Sequence, residues 1–345
     1  PPPPPPPPPP FSSSRRHTRC AIKSRGLGDV YKRQSLVLEP PPPATVGADP
    51  EVLEDSLVAD SEVPPPPLPE GPVLFAGTRS GETLSLYPLF EFRGDTILPL
   101  STEPEAPGFD AWFAQRRLAP GTEFTLFADG VRVGTLVTDT VASVPGWCVP
   151  RTAAVGIPEL IPAAAEATRF LALARGSEPE TPHAEGAFPR PLDAHRQASR
   201  LLAQTAIMQQ SALWPDDLDD ARADLTVTRM SPGAEPSVAS TFMFRDRLAV
   251  EDPGTPVAYS LFVMGSPRAA RYGIDYVWYR RVGDEGKGAP RFFQQFDWDG
   301  DGRSEVLLEV MGASSRWAAV LEDADGTWSA VYEAGCDPEA GPSGD

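Results

Sequence analysis

From Val73 to Tyr332 the chain keeps returning to one pattern: a short run of β-branched, aromatic and other apolar residues, closed off by Gly, Asp or Pro. That pattern restricts the backbone to strands joined by tight turns. Bulky side chains pack well on a pleated surface, while Gly, Asp and Pro supply the dihedrals that turns need. In the first half the runs are Val73 to Ala76, Thr83 to Phe92, Glu123 to Ala128 and Val131 to Thr138. The last two flank Asp129-Gly130, the kind of pair that a two-residue type I′ hairpin requires. In the second half the runs are Leu225 to Arg229, Thr241 to Arg245, Val257 to Met264, Ile274 to Arg281, Arg291 to Phe296, Glu305 to Met311, Arg316 to Leu321 and Thr327 to Tyr332. Short separations between successive runs predict an antiparallel meander. Its length suits a sandwich, an open barrel or two propeller-like blades, and is too short for a full propeller.

Helical periodicity is confined to two places. Phe109 to Arg117 spaces Phe109, Trp112 and Phe113 as a short helix would. Residues 192–213 carry an apolar stripe through Ala198, Leu201, Leu202, Ile207 and Met208, bounded by Pro191 and Pro215. The expected fold is therefore mainly β: two small antiparallel β domains, barrel- or sandwich-like, joined by a linker and one helix, with a disordered N-terminal region. The first domain covers 73–175 and the second 222–334. Residues 176–221 form the linker and helix, and 335–345 a disordered tail.

Residues 1–34 stand apart from this plan. Ser24 to Gln34 (SRGLGDVYKRQ) resembles, residue for residue, the in-frame translation of a transposase-type sequencing adapter, and Arg15 to Arg19 resembles the end of a flow-cell primer. The segment reads as an adapter-derived artefact. Residues 35–72 follow with two four-proline runs, Pro40 to Pro43 and Pro64 to Pro67, many acids and no aromatic residue. Such a composition buries too little apolar surface to offset ordering entropy and reads as an extended acidic linker. Spacers of this kind hold a domain away from an anchor, so the expected location is outside the cytoplasm: periplasmic, surface-tethered or secreted.

Charge narrows the partners. Without the seven basic residues and one acid of 1–34, the net charge of −18 becomes −24. A chain so acidic repels phosphate, and no basic cluster outside 1–34 opposes that field, so nucleic acid is excluded as an expected partner. Cations and basic surfaces fit better, and the partner expected is an unidentified protein or envelope polymer. No apolar run is long enough to span a membrane as a helix. Outside 1–34 the cysteines are Cys148 and Cys336, enough for one disulfide or for two thiols.

One motif carries chemistry. Asp297-Trp298-Asp299-Gly300-Asp301-Gly302-Arg303-Ser304-Glu305 sets carboxylates at alternating positions of a Gly-containing loop between two strand candidates. A hard cation such as calcium takes six to eight oxygens at short range, which alternating acids on a tight loop converge to supply. Asp297, Asp299 and Asp301 would offer side-chain oxygens, Arg303 its backbone carbonyl, and Glu305 a direct or water-mediated ligand. The loop resembles the calcium loops of FG-GAP and VCBS-type repeats, DxDxDGxx[DE] followed by an apolar strand, here Val306 to Val310. That resemblance implies one bound Ca2+ within roughly Arg291 to Tyr332. Strand-like flanks, and Leu308 at the twelfth position where an EF-hand places a bidentate glutamate, separate it from a helix-pair switch. Asp323-Ala324-Asp325-Gly326 reads as a hairpin turn, not a second copy.

Catalytic signatures are missing from the sequence. Gly283 to Gly288 (GDEGKG) has neither the spacing nor the hydroxyl residue of a phosphate loop, no GxSxG or HExxH occurs, and His183 and His195 are the histidines outside 1–34. The expected function is a non-catalytic extracytoplasmic β-rich binding or structural module stabilised by one calcium ion. The alternative is a secreted hydrolase using paired carboxylates, whose separation is spatial and invisible in sequence.

Overall fold

The computed structural model describes residues 66–102, 105–179, 189–230, 234–269, 271–300 and 302–334, all within the unit Glu62–Asp345. The adapter-like segment 1–34, residues 35–65 of the acidic leader and the tail 335–345 lie outside the described residues.

The first half builds nine antiparallel strands: β1 (Val73–Ser80), β2 (Thr83–Arg93), β3 (Thr96–Pro99), β4 (Glu123–Ala128), β5 (Val131–Val137), β6 (Thr140–Ser143), β7 (Thr152–Gly156), β8 (Pro158–Leu160) and β9 (Arg169–Ala174). Hydrogen bonding follows the path β6-β7-β2-β1-β9-β4-β5-β8, with β3 on β2. Only Thr138 and Asp139 separate β5 from β6, and only Ile157 separates β7 from β8. The ends of the path therefore meet, with β5–β6 lying along β7–β8, and the sheet curls into a barrel. Alternation sorts its two faces. Val73, Phe75, Phe124, Leu126 and Phe170 fill the interior, while Leu74, Ala76, Leu171 and Leu173 point outward. Helix α1 (Phe109–Arg117) adds Phe109 and Phe113 to the interior cluster. Trp112, at helical spacing with them, is half-buried beneath the Arg116 guanidinium instead.

Pattern reading stops at Thr138, yet four strands follow it. The Ala- and Pro-containing segments Thr152–Gly156 and Pro158–Leu160 carry little intrinsic strand preference, and the neighbouring strands supply their pairing.

Past the barrel come α2 (Asp193–Gln210) and α3 (Leu218–Ala221), then two four-stranded meanders. The first is β10 (Arg222–Thr228), β11 (Ser237–Phe244), β12 (Tyr259–Arg268) and β13 (Arg271–Arg281). The second is β14 (Ala289–Phe296), β15 (Glu305–Met311), β16 (Arg316–Ala324) and β17 (Thr327–Glu333). Between β13 and β14 lies one helical turn, α4 (Val282–Glu285). Within α2, Ala198, Leu202 and Ile207 are buried, whereas Leu201 and Met208 of the same stripe are exposed. Ser211, left-handed at φ 51°, ends the helix. His195 Nδ1 accepts the Leu192 N–H at its start, a capping role.

These parts stack in layers. α2 packs on one face of the β10–β13 sheet through Leu202, Ile207, Phe242 and Leu261. The opposite face meets the β14–β17 sheet through Phe262, Met264, Phe292, Leu308 and Trp317. The other side of that sheet, with Phe293, Phe296, Leu307 and Val320, lies against the outer barrel wall at Leu74, Phe127 and Leu171. β15 is thus covered on both faces and is buried along its whole length, which is why it reads as a nearly unbroken apolar run.

The predicted Asp129-Gly130 turn forms, with both residues at positive φ (51° and 75°), as type I′ geometry demands. It is also a docking point. The Asp129 N–H donates to Gln294 Oε1 at 2.8 Å, and its carboxylate accepts from the Thr228 hydroxyl. Burial pushes the Asp129 carboxyl up, with Thr228 and the Arg229 N–H pulling the other way. A β-carbon on Gly130 would lie 2.5 Å from Gln295 Nε2. Gly130→Ala is expected to cost about 1–2 kcal/mol from the left-handed backbone, checked by urea denaturation. An unchanged midpoint would show that the turn relaxes freely.

Candidate functional site: the acidic β14–β15 loop

The loop from Asp297 to Ser304 joins two strands that sit in the middle of the layered core, so both of its ends are held. Alternation persists through its first residues. Trp298 turns inward, 3 % exposed, with its ring edge-on to Phe90 at 5.8 Å. Asp297 and Asp299 are partly exposed, and Glu305, the first residue of β15, is buried.

Carboxylate oxygens of Asp297, Asp299 and Glu305 all lie within 4.8 Å of one another. Calcium ligands sit roughly 2.3–2.6 Å from the ion, so two ligands of one ion are at most about 5 Å apart. The three acids therefore fit the span of a single cation. Local hydrogen bonds shape the loop: Asp297 Oδ1 accepts the Gly300 N–H at 2.7 Å and Oδ2 the Gly302 N–H at 2.9 Å. Both glycines have φ near 80–90°, which a β-carbon would strain. Glu305 Oε2 accepts the Trp298 N–H at 3.2 Å, joining the inward anchor to the acid cluster.

The electrostatics match carboxylates crowded together. Burial pushes the Glu305 carboxyl up to about 9, and the charges on Asp299 and then Asp297 push in the same direction against the Trp298 N–H. Near a protein surface, like charges ~4 Å apart repel by on the order of 4 kcal/mol. A divalent cation reverses that term for every pair at once.

Of the residues the motif singles out, Asp297, Asp299 and Glu305 come together, and Asp301 lies outside the described residues. The Arg303 side chain reaches away to the β16–β17 turn, donating to the Asp323 carbonyl at 3.1 Å and pairing with Asp325 at 3.2 Å. Asp325 has positive φ and sits between paired strands, as a hairpin turn requires. The other acidic run also has a local structural role: Asp217 caps α3 through the Asp219 N–H, and Asp219 pairs with Arg222 and Arg200. Lys287, in the loop that superficially suggests phosphate binding, is turned into the core against Asp246 at 3.1 Å.

Fold and site together define a layered, mainly β protein with three carboxylates clustered on the β14–β15 loop. Comparison with known proteins adds no relative: no family model, no curated protein and no solved structure matches the chain. Among the described residues, no helix is long and apolar enough to cross a membrane.

Proposed function

We propose that this chain is a non-catalytic, extracytoplasmic β-rich module whose β14–β15 connection is stiffened by one calcium ion, and that it serves binding or envelope architecture. The observation carrying this reading is the convergence of Asp297, Asp299 and Glu305 within the reach of one cation, on a loop pinned by Trp298. The strand-loop-strand setting agrees with the resemblance to FG-GAP and VCBS-type loops, and Asp301 with the Arg303 carbonyl would complete the oxygen set. Export is supported by Cys148, which is disulfide-bonded, since disulfides persist mainly in oxidising compartments; Cys336 lies outside the described residues. The net charge of the body favours a basic or cation-bridged protein or envelope polymer as partner.

Thermal unfolding with and without calcium tests the metal. At a hundred times its dissociation constant, a ligand specific to the native state adds about 2.7 kcal/mol of stability. Calcium is expected to raise the melting temperature of the chain, a chelator to lower it again, and Asp299→Ala to remove the response. A melting temperature indifferent to calcium, or a full response in Asp299→Ala, overturns the reading.

A further inference from the structure

Remote from any sequence motif, a cavity of about 170 Å3 opens between the barrel wall and the β14–β17 sheet. Its walls bring together Tyr87 of β2, Trp147 and Arg151 of the β6–β7 connection, Trp317 of β16 and Tyr332 of β17. The aromatic walls are held in place. Tyr87 and Trp147 stack at 4.4 Å with their planes 7° apart, and the Arg316 guanidinium lies over the Trp147 ring at 4.7 Å. The Tyr87 hydroxyl donates to the Val149 carbonyl at 2.6 Å, and Trp317 Nε1 to Glu333 at 3.0 Å.

Arg151 gives the cavity its sign. It is 6 % exposed, and its Nη2 donates to the Leu100 and Ser101 carbonyls at 2.9 and 3.1 Å. Those acceptors are neutral. Among the described residues no carboxylate comes within ion-pair distance of it. The acids whose charge it feels are engaged elsewhere: Asp110 accepts the N–H and hydroxyl of Thr152, and Glu105 accepts the Thr102 N–H at 3.0 Å. Burial accordingly pushes the guanidinium below its ordinary value, with Tyr87 and Asp110 opposing. A buried cation that makes no direct ion pair is costly, and an anion entering beside it relieves that cost. The Tyr332 hydroxyl adds a second polar group to the cavity wall and has no hydrogen-bond partner among the described residues. An enclosed space of ~150 Å3 holds a benzene ring, so this one admits a single ring with a small substituent. Apolar and aromatic walls with a few convergent polar groups are the usual make-up of a small-molecule site.

We propose that this cavity binds small monocyclic aromatic carboxylates, with the carboxylate paired to Arg151 and hydrogen-bonded by Tyr332, and the ring lying among Tyr87, Trp147 and Trp317. The site is separate from the acidic loop and does not depend on calcium. Calorimetric titration with benzoate, followed in parallel by tryptophan emission, tests it against two single-ring analogues of different charge, neutral benzamide and cationic benzylamine. The expected result is saturable benzoate binding with a change in emission, at least ten-fold weaker binding of benzamide, and none of benzylamine. Arg151→Met should weaken benzoate at least ten-fold. Because Arg151 also ties down Leu100 and Ser101, two further variants carry the test independently of that fold contact. Tyr332→Phe should weaken benzoate several-fold while leaving benzamide nearer its original affinity, and Ala334→Phe, at the cavity wall, should block benzoate while the far-ultraviolet spectrum stays native. Absence of saturable benzoate binding, equal binding of the three compounds, or undiminished benzoate affinity in both folded variants overturns the proposal.

Discussion

Glu309→Ala is expected to destabilise the protein by about 3–5 kcal/mol, the usual consequence of removing one member of a buried charge cluster. Glu309 sits on β15 with its side chain 1 % exposed, facing the barrel. Arg291 Nε and Nη2 both reach Oε2, at 2.6 and 2.5 Å, while Arg316 Nη1 reaches Oε1 at 2.7 Å. Truncation leaves two guanidiniums facing each other with no anion between them. It also loosens Arg316, whose backbone bridges to Gly146 and Cys148 and whose guanidinium covers Trp147. The loss should thus reach the barrel connection as well as β15. Urea denaturation at neutral pH gives the magnitude. Replacing all three residues by apolar ones of similar volume (Arg291→Met, Glu309→Leu, Arg316→Met) should recover most of the stability, because paired desolvation is removed along with the pair. A Glu309→Ala cost under about 1 kcal/mol would place the cluster among weak surface-type pairs.

Lys287→Met is expected to cost a comparable 3–5 kcal/mol. Lys287 is the single lysine outside residues 1–34. Its side chain and that of Asp246 are 1 % and 2 % exposed, with Nζ 3.1 Å from Oδ1. Asp246 Oδ1 also accepts the Arg247 N–H at 2.7 Å, and its Oδ2 is buried with no hydrogen-bond partner. Removing the ammonium therefore strands an anion. The double variant Lys287→Met, Asp246→Leu should be markedly more stable than Lys287→Met alone, and a double-mutant cycle isolates that coupling. Chemical modification offers an independent reading: an amine-directed reagent should leave Lys287 untouched in the native protein and acylate it once denaturant opens the core. Rapid acylation under native conditions would contradict the burial.

What the sequence determined alone is local. The alternation and turn residues that place most of the strands, Asp129-Gly130, the helix between Pro191 and Pro215, and the acid spacing of Asp297 to Glu305 are all encoded within a few neighbouring residues, where the periods of strand, helix and turn are set. The candidate metal loop was legible for the same reason, since its ligands are consecutive alternate residues. Tertiary structure decided what depends on partners far along the chain. It joins β7–β8 to β5–β6 and closes the barrel, and it places β15 between two layers. It turns Lys287 inward to Asp246, a residue 41 positions away, and it leaves Leu201 and Met208 of the helical stripe in solvent. The aromatic cavity belongs to this second class. Its walls come from Tyr87, Arg151, Trp317 and Tyr332, which share no motif or spacing. Only the packing of the barrel against the β14–β17 sheet brings them together, because a sequence period specifies which face a residue takes and not which surface that face will meet.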